Sequence, residues 1–469
     1  MVALTDLVRA AEVPGARVVG DASVTVTGVE FDSRSVAGGT LFCCIPGLHA
    51  DGHDFAAAAL AAGAAAVLVE RPLDVSGTQV VVASTRAAMG HLAAAFHGHP
   101  SRSLTMVGVT GTNGKTTTVS LTASVLRSTG VRVGVIGTLT GAHTTPEAPD
   151  LQRQLARFVT DGCNAVVMEV SSHALALDRV VGTHFDLAVF TNLGRDHLDL
   201  HGSVEQYFAA KARLFRPDLA DRGLANADDV HGQLLIDAAL IPMEGFSLAD
   251  ATDSSVTPTR LAFTWRGRLV AMHLGGDFNV SNSLAAATAC SMLGVPDDAI
   301  VRGLAGAEPV PGRFEPVVAG QPFAVIVDYA HTPDGLAEAL RSARAAAGDH
   351  RLVAVFGCGG DRDRDKRPEM GAVAAAIADV VVVTSDNPRS EDPLAIIGAV
   401  LDGVPADYRG LVVTESDRRA AIAAAFAQAQ AGDVVVIAGK GHERTQTIGD
   451  MVVPFDDRVV ARELLEMQL

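Results

Sequence analysis

A glycine-rich segment between an apolar run and a helical pattern constrains this chain more than any other feature. Residues 104–109 read LTMVGV, which is typical of a short buried strand, and residues 111–119 read GTNGKTTTV. Val119, Ala123 and Leu126 then recur at helical spacing, and Gly130 marks the end of the predicted helix. This order of elements favours a parallel α/β sheet with the glycine-rich turn at the carboxyl ends of its strands.

The same segment carries the residue types of a phosphate-binding loop. Its backbone N–H groups and the start of the following helix can face a phosphate. Lys115 adds a positive charge and Thr116 offers a hydroxyl to Mg²⁺. The strict pattern has a further glycine where this chain has Val109, so a tight turn without a ligand is the alternative. Because Gly114, Lys115 and Thr116 stand in register, the sequence predicts nucleotide binding.

Composition narrows the class of protein. A chain of 469 residues, 48% of them hydrophobic, is long and apolar enough for two to four globular domains. The net charge of −17 argues against a general nucleic-acid binder. No apolar run of 18 residues and no signal-peptide pattern is present, so we expect a cytoplasmic protein without membrane insertion. Five cysteines without CxxC spacing are expected to be reduced and buried: Cys43, Cys44, Cys163, Cys290 and Cys358.

Two polar, turn-rich segments divide the sequence. Residues 97–102 and the proline-containing residues 307–313 are the candidate linkers. They predict three α/β domains, over residues 1–100, 101–309 and 310–469. The second and third alternate strands with helices, and the third has continuous valine and isoleucine strands, as expected when both faces of a parallel sheet are covered. We expect a small first domain, a parallel-sheet nucleotide-binding domain and a Rossmann-like third domain.

Polar segments follow one predicted strand after another. They begin at Thr110, Glu169, Thr191, Asp328, Gly357, Asp386 and Gly439. Because ligands of such sheets bind beyond the carboxyl ends of the strands, seven such segments favour a shared cleft over seven unrelated polar loops.

Several side chains in these segments have both a functional and a structural interpretation. Glu169 ends an apolar strand, and we prefer a Mg²⁺ ligand to an ordinary strand-end charge. His201 is interpreted as a solvated loop histidine, because no third ligand completes a zinc site with it. Lys211 is a surface lysine on composition alone. Asn279 and Asn282 suit helix capping.

Two charged segments stay open between surface loop and ligand site. Residues 361–367, DRDRDKR, are by default a solvated loop, although their arginines could bind a carboxylate. Residues 386–389, DNPR, suit a type I turn or, equally, an amino acid with both an ammonium and a carboxylate.

Taken together and in order, these segments resemble the Mur ligase family, the ATP-dependent ligases that build the peptide of bacterial peptidoglycan. The resemblance implies catalytic roles for Lys115, Glu169, His197 and Lys211. It implies Mg²⁺ on Thr116 and a second Mg²⁺ on Glu169, His197 and a CO2-derived carbamate on Lys211, which reverses the composition-based interpretation of that lysine. The implied ATP contacts are Gly111, Thr112, Asn113, Gly114, Lys115, Thr116, Thr117, Asn279, Asn282, Arg313 and Asp328.

Within the family, the sequence is most similar to the third ligase, in the form that adds meso-diaminopimelate. Residues 32–34, 41–42 and 51–52 resemble its uridine-binding first domain. The implied contacts to the UDP-sugar dipeptide are Ser33, Arg34, Thr144, Thr145, Gln152, Ser171 and Arg179. The implied contacts to the incoming amino acid are Arg367, Asp386, Asn387, Arg389, Gly439 and Glu443.

The resemblance therefore implies an ATP-dependent amide ligase that joins meso-2,6-diaminopimelate to UDP-N-acetylmuramoyl-L-alanyl-D-glutamate through an acyl phosphate. Its partners would be these small substrates and ATP, with no nucleic acid, and the protein is expected to be a monomer. Three alternatives remain: a Mur ligase that adds L-lysine, a ligase like folylpolyglutamate synthetase, and an inactive nucleotide-binding scaffold. The uridine-like segment 32–34 argues against the second, and Arg389 argues against lysine.

Overall fold

The computed structural model describes residues 1–47, 50–196 and 198–467. Contacts group the described chain into two compact units. The first contains Met1–Gly111, Gly130–Thr191 and the described residues between 197 and 245, and the second contains Thr112–Thr129, Asn192–Asp196 and the chain from Phe246 onward. None of the described helices is long and apolar enough to cross a membrane.

The first sheet is built from the N-terminal residues. The elements are β1 (Val2–Ala3), α1 (Leu4–Ala10), β2 (Arg17–Val19), β3 (Thr25–Val26), β4 (Gly28–Glu30), β5 (Thr40–Cys43), α2 (Ala56–Ala61), β6 (Ala66–Val69), β7 (Thr78–Val81) and α3 (Thr85–Phe96). Five strands pair in the order β2-β7-β6-β5-β4, parallel except for β2. Buried side chains cover both faces of this sheet, which gives the small α/β domain that the sequence predicts.

The second sheet carries the glycine-rich segment. Its chain contains β8 (Thr105–Thr110), α4 (Lys115–Ser128), β9 (Val133–Ile136), α5 (Ala148–Thr160), β10 (Ala165–Glu169), α6 (Ser172–Ala176), β11 (Leu187–Phe190), α7 (Leu198–His201), α8 (Val204–Ala212), β12 (Gly223–Asn226), α9 (Val230–Asp237) and β13 (Met243–Phe246). The strand order is β13-β12-β11-β8-β10-β9. Strand β8 pairs in parallel with both β10 and β11. The segment after β8 therefore starts where the strand order reverses, the usual ligand position in such sheets.

A three-stranded antiparallel sheet and two helices follow. They are β14 (Ala251–Val256), β15 (Leu261–Trp265), β16 (Arg268–Met272), α10 (Phe278–Met292) and α11 (Asp297–Ala305). Helices α10 and α11 both pack on α4, so the helix that begins at Lys115 is held along its length.

The third sheet is formed by the C-terminal residues. Its elements are β17 (Glu315–Pro316), β18 (Ala324–Asp328), α12 (Pro333–Ala347), β19 (Leu352–Phe356), α13 (Lys366–Ile377), β20 (Val380–Val383), α14 (Pro393–Leu401), β21 (Leu411–Thr414), α15 (Arg418–Gln428), β22 (Val434–Ala438), β23 (Thr445–Ile448), β24 (Met451–Pro454) and α16 (Asp457–Glu466). The order is β17-β18-β22-β19-β20-β21, and all pairs except β17–β18 are parallel. The four valines of β20 are all buried between two apolar layers. The expected Rossmann-like sheet with two covered faces is confirmed.

The structure corrects several local predictions. The alanine-rich residues 55–65 have a composition that predicts a helix over their whole length, but the helix is shorter, because Gly52–Phe55 form a 3-10 turn and α2 ends at Ala61. Asp277 caps α10, so Asn279 and Asn282 lie inside the helix and the capping interpretation is wrong. Four cysteines are buried as expected, but Cys163 is only half-buried. Burial raises the pKa of the Cys290 thiol to about 12 and that of Cys358 to about 11.

Candidate active site

The glycine-rich segment forms a tight turn that opens α4. Gly114 has a φ of 81°, in the left-handed region that favours glycine. A side chain there would collide with Asn282. Lys115 is the first residue of the 14-residue helix and its Nζ donates to the carbonyl of Thr112 at 2.8 Å. The turn thus brings backbone donors, a helix N-terminus and a lysine together, which is an arrangement suited to a phosphate.

The segment that follows β11 braces this loop. The amide nitrogen of Thr112 donates to the carbonyl of Asn192 at 2.9 Å, and that of Asn113 donates to the side chain of Asn192 at 2.9 Å. The hydroxyl of Thr112 accepts from the Gly194 amide at 2.9 Å. Sequence reasoning missed Asn192, although it lies in a polar segment that follows a strand.

Asn279 and Asn282 support the loop from α10. The Asn282 amide donates to Asn279 Oδ1 at 2.8 Å, and Asn279 donates to the carbonyl of Gly275 at 2.7 Å. Asn279 is fully buried, so in this structure it orients Asn282, which contacts the phosphate loop at Gly114. Their expected contact with adenine stays a prediction.

A buried carboxylate stands at the end of β10. Glu169 is 2% exposed, and the register pairs it with Val109 of β8, two residues before Gly111. Its Oε1 accepts from the Thr138 amide at 2.9 Å and its Oε2 from the Thr138 hydroxyl at 3.3 Å. Thr138, which the sequence did not single out, follows β9 and fixes the direction of this carboxylate.

Lys211 is buried, contrary to the composition-based interpretation. Its side chain is on α8, is 1% exposed, and donates to the carbonyl of Gly111 at 2.7 Å. The same Nζ lies 4.4 Å from the centre of the Tyr207 ring. A lysine from a distant part of the sequence therefore reaches the first residue of the phosphate loop.

The two histidines of the segment RDHLDLH have different outcomes. The interpretation of His201 as a solvated loop residue is wrong, since it is 6% exposed and its Nε2 lies 3.0 Å from the Ser172 hydroxyl. Its neighbours on α6 and α8 bury it. His197 lies outside the described residues, so its role stays as the resemblance implies it.

The residues expected to contact the dipeptide gather beside the end of β10. The Thr145 hydroxyl donates to the carbonyl of Glu169 at 2.9 Å and accepts from the Ser171 amide at 3.1 Å. Arg179 donates to the carbonyl of Thr145 at 3.1 Å. The Thr144 hydroxyl lies 3.0 Å from that of Thr138.

Gln152 differs from this group. It is fully buried on α5 and donates to the Thr183 hydroxyl at 2.8 Å. The structure therefore places its amide in the packing of the domain, and a substrate contact from Gln152 stays a prediction.

An ordered turn precedes β5 in the N-terminal sheet. Asp32 accepts from the Arg34 amide at 2.9 Å and pairs with the Arg34 guanidinium at 2.7 Å. These bonds lower the pKa of Asp32 to about 2. Ser33 lies between them, and the exposed Arg34 is available to an anionic ligand.

Asp328 and Arg313 lie at the end of β18 and in the loop before β17. Asp328 accepts from the amides of Phe314 at 2.7 Å and Ala330 at 2.8 Å. Burial raises the pKa of this carboxyl, although Arg313 acts in the opposite sense. The Arg313 guanidinium stacks 4.6 Å above the Tyr329 ring. Asp328 thus shapes the turn from which Arg313 projects.

A hydrogen-bonded polar network joins the ends of β20 and β22. The Asn387 amide donates to Asp386 at 3.1 Å and to Glu443 at 2.9 Å. Gly439, with a φ of 111°, leaves room for Asp386, whose Oδ2 is only 2.8 Å from where a side chain would begin. Lys440 is fully buried beneath this network. The structure therefore brings together four of the six residues expected to bind the amino acid.

The two expected arginines lie nearby and already have partners. Arg389 has a φ of 52° and donates to the carbonyl of Gly360 at 2.6 Å. Arg367 is 3% exposed and forms a two-pronged pair with Glu391 at 2.8 and 3.1 Å. The default interpretation of residues 361–367 as a solvated loop is wrong for Arg367, which lies in α13.

The residues present fit Mg²⁺. Among the described residues no group of three or more His, Cys, Asp or Glu side chains forms a metal cage. Mg²⁺ needs no such cage, because it is usually held by one or two protein oxygens together with phosphates and water. The Thr116 hydroxyl in the loop and the Glu169 carboxylate are hard oxygen donors of that kind.

Three family models match the chain in order. The first domain matches the Mur ligase family, catalytic domain, over residues 25–97, and the next part matches the Mur ligase middle domain over residues 109–290. The C-terminal part matches the Mur ligase, glutamate ligase domain, over residues 312–441. The chain belongs to the Mur ligase family, which confirms the predicted family and the predicted three-domain α/β fold.

Similar proteins extend over almost the whole chain. The UDP-N-acetylmuramoyl-L-alanyl-D-glutamate–2,6-diaminopimelate ligase of Geobacillus kaustophilus (strain HTA426) is 47% identical over 465 residues, which cover 93% of this chain and 94% of that protein. The ligase of the same name from Streptomyces coelicolor (strain ATCC BAA-471 / A3(2) / M145) is 46% identical over 475 residues, with coverage of 95% and 94%.

Solved structures agree. A structure of a ligase of that name has a TM-score of 0.70 and 34% identity, and covers 100% of this chain and 99% of its own. The MurF ligase of Thermotoga maritima in complex with ADP has a TM-score of 0.63 and 20% identity, with coverage of 95% and 98%, and supports the fold.

Proposed function

We propose that this chain uses ATP to join meso-2,6-diaminopimelate to the D-glutamyl carboxylate of UDP-N-acetylmuramoyl-L-alanyl-D-glutamate. The observation that carries the proposal is the 45–47% identity, along nearly the whole chain, to ligases named for this reaction. Family membership makes the chain an ATP-dependent ligase. We assign residues to each of the three substrates below.

The first step activates the acceptor. An oxygen of the D-glutamyl carboxylate attacks the γ-phosphorus of ATP, so that a new P–O bond forms and ADP leaves. The protein contributes mainly position and charge to such a transfer. The amides at the N-terminus of α4 and the Lys115 side chain would hold the β- and γ-phosphates, with Asn192 and Asn282 supporting the loop. Thr116 would hold one Mg²⁺, and Glu169, His197 and the carbamate of Lys211 would hold a second; both ions would supply neutralisation of the anionic oxygens.

The second step forms the amide. The neutral amine of diaminopimelate attacks the acyl carbon, the C–O bond to phosphate breaks, and the amine gives up a proton. Asp386 and Glu443 would face the ammonium at the distal end of the amino acid, and Arg389 would bind the carboxylate there. L-Lysine lacks that carboxylate and would leave the half-buried Arg389 guanidinium without an anionic partner, which is a basis for its rejection.

A phosphate-release assay tests this proposal. The purified chain is incubated with ATP, Mg²⁺ and the UDP-muramoyl dipeptide, with either meso-diaminopimelate or L-lysine. We expect phosphate and a product of the corresponding mass at a much higher rate with diaminopimelate than with L-lysine. Turnover with lysine instead would assign the chain to the lysine-adding ligases, and turnover with neither would support the inactive scaffold.

The carbamate on Lys211 has its own test. Carbamylation consumes CO2 and the neutral amine and releases a proton, so the modified side chain carries a carboxylate-like group. With ¹³C-bicarbonate the wild type should show a carbamate carbon resonance that Lys211→Ala lacks. Acetate should partly restore activity to Lys211→Ala and leave the wild type unaffected. A spectrum identical for both proteins, with full activity in the variant, would exclude the modification.

A further inference from the structure

Lys440 is a buried charge next to the amino-acid site. It follows Gly439 at the end of β22 and is 0% exposed. Its Nζ donates to Asn387 Oδ1 at 3.2 Å, to Glu443 Oε2 at 3.0 Å and to the carbonyl of Thr445 at 2.7 Å. An ammonium has three N–H donors, and all three have an acceptor here. Lys440 therefore has no donor left for a substrate.

The partners of Lys440 are the residues expected to meet the amino acid. Asn387 donates through its amide nitrogen to Asp386 and Glu443. Its Oδ1 accepts from Lys440 and from the Thr447 amide, so these two donors together fix which end of the amide faces which group. Glu443, whose side chain is 33% exposed, shares one oxygen between Asn387 and Lys440. Removal of the lysine would leave Asn387 Oδ1 with the Thr447 amide, at 3.0 Å, as its remaining donor, and would leave the Glu443 carboxylate without its cation.

The charges of the two segments that carry the amino-acid site balance only when Lys440 is included. The segments 386–389 and 439–443 carry two carboxylates, on Asp386 and Glu443, and two cations, on Arg389 and Lys440. Nearby, the buried pair Arg418–Asp457 is neutral, and Glu391 is shared by the buried Arg367 and the exposed Arg364. A pocket with no net charge suits a ligand end that bears one ammonium and one carboxylate. A pocket with one excess negative charge would suit an ammonium alone.

We propose that Lys440 is a positioning residue that sets the charge balance of the amino-acid pocket and so favours an amino acid with both an ammonium and a carboxylate at its distal end. This inference rests on the proposed function and goes beyond it, because it assigns part of the selectivity to a side chain that does not touch the substrate. It separates this lysine from Asp386, Arg389 and Glu443, which would bind the amino acid directly.

Lys440→Met tests the inference by steady-state kinetics. We expect the KM for diaminopimelate to rise about tenfold or more, as expected for the loss of a hydrogen-bonded charge. The KM values for ATP and the UDP-muramoyl dipeptide should stay within about twofold of wild type. The ratio of kcat/KM for diaminopimelate to that for L-lysine should fall about tenfold or more. Arg444→Ala, at an exposed residue of the same loop, is the control and should keep wild-type values.

A double variant separates charge from folding. Lys440→Met with Glu443→Gln removes one charge of each sign and leaves no unpaired carboxylate. We expect it to recover much of the selectivity ratio that Lys440→Met loses, even though its KM for diaminopimelate stays high. Thermal unfolding of each variant checks that it is folded.

Three results would overturn the inference while the wild type remains active with diaminopimelate. The first is an unchanged KM and ratio in Lys440→Met. The second is a fall of kcat that is equal for diaminopimelate and L-lysine, which a purely structural role would give. The third is a double variant with no recovery of the ratio. A wild type that releases no phosphate with diaminopimelate would instead reject the proposed function itself.

Discussion

A half-buried carboxyl on α12 should contribute to the pH dependence of the stability of the protein. Glu338 accepts from the side chain of Asn113, in the phosphate loop, at 2.8 Å. Burial, with a smaller contribution from Asp328, raises the pKa of Glu338 from 4.5 to about 7. The folded state therefore keeps this proton to a higher pH than the unfolded state does. The stability that Glu338 contributes is fully present below about pH 4.5 and is lost as the pH rises through about 7.

Glu338→Gln should remove this dependence. The amide can still accept from Asn113 and cannot ionise, so at pH 8 the variant should be more stable than wild type by about 3 kcal/mol. Denaturant unfolding at several pH values measures the difference. Asp349→Asn, at an exposed acid after the same helix, is the control and should keep the wild-type slope. Parallel curves for wild type and Glu338→Gln between pH 5 and 8 would contradict the assignment.

Residue chemistry was predictable where sequence neighbours define it. The turn at Gly114 and the lysine after it are set by local order, and the structure has them as expected. Lys211 and His201 were wrongly expected at the surface, because the residues that bury them, around Gly111 and Ser172, are distant from them in the sequence. Thr138 and Lys440 were missed because they contact Glu169, 31 residues away, and Asn387, 53 residues away, only after folding. Sequence patterns report periodicity along the chain and carry little information on such contacts.

At the level of elements, one buried ion pair holds two loops of the amino-acid site. Arg418 begins α15 and Asp457 begins α16, and both side chains are 0% exposed. The guanidinium also donates to the carbonyl of Ser385 at 3.2 Å and to that of Ala438 at 2.9 Å. These carbonyls come directly before Asp386 and Gly439. The pair therefore fixes the positions of the backbone just before Asp386 and Gly439.

Asp457→Asn should destabilise the protein by about 3–5 kcal/mol, because it leaves a buried cation without its partner. Glu463→Gln is the matched control on the same helix, since it removes the half-exposed partner of Arg419 and should cost about 0–1 kcal/mol. Denaturant unfolding compares the two variants. Equal losses of stability would show that Arg418 does not depend on Asp457.

Strands were easier to predict than the turns between them. The valine run of β20 is explained by burial of both faces, which the sequence displays directly. The 3-10 turn over Gly52–Phe55 depends instead on Asp51, which accepts from the His53 amide at 3.0 Å. The alanine-rich composition of this segment does not reveal that Asp51 caps a 3-10 turn ahead of α2.

For the whole molecule, the nucleotide should act as a stabilising ligand. A ligand that binds only the folded state adds about 2.7 kcal/mol at a concentration of 100 times its Kd. ADP with Mg²⁺ should therefore raise the unfolding midpoint of the wild type, and Lys115→Ala should lose most of the shift. Arg127→Ala, at the exposed far end of α4, should keep it. An equal shift in Lys115→Ala would argue against a phosphate at this loop.

The three-domain architecture was predictable because each sheet has its own rhythm of strands and helices. The boundaries at residues 100 and 309 stay predictions. Contacts alone group the described chain differently, with Thr112–Thr129 in the unit of the C-terminal residues. The helix contacts of α4 with α10 and α11 explain that grouping. Sequence order does not reveal which other helices α4 will pack against.

The buried thiols can be used to measure local unfolding of this protein. Cys290 and Cys358 lie in separate parts of the chain, and burial raises the pKa of both, so in the closed state they are poor nucleophiles toward an alkylating reagent. Alkylation at each position then requires transient exposure of the thiol. Its rate, measured by mass spectrometry, reports how often that region unfolds locally. Half-buried Cys163 would be labelled earlier and serve as the internal reference. The natural sequence thus provides two probes of local unfolding, at Cys290 and Cys358, without an engineered cysteine.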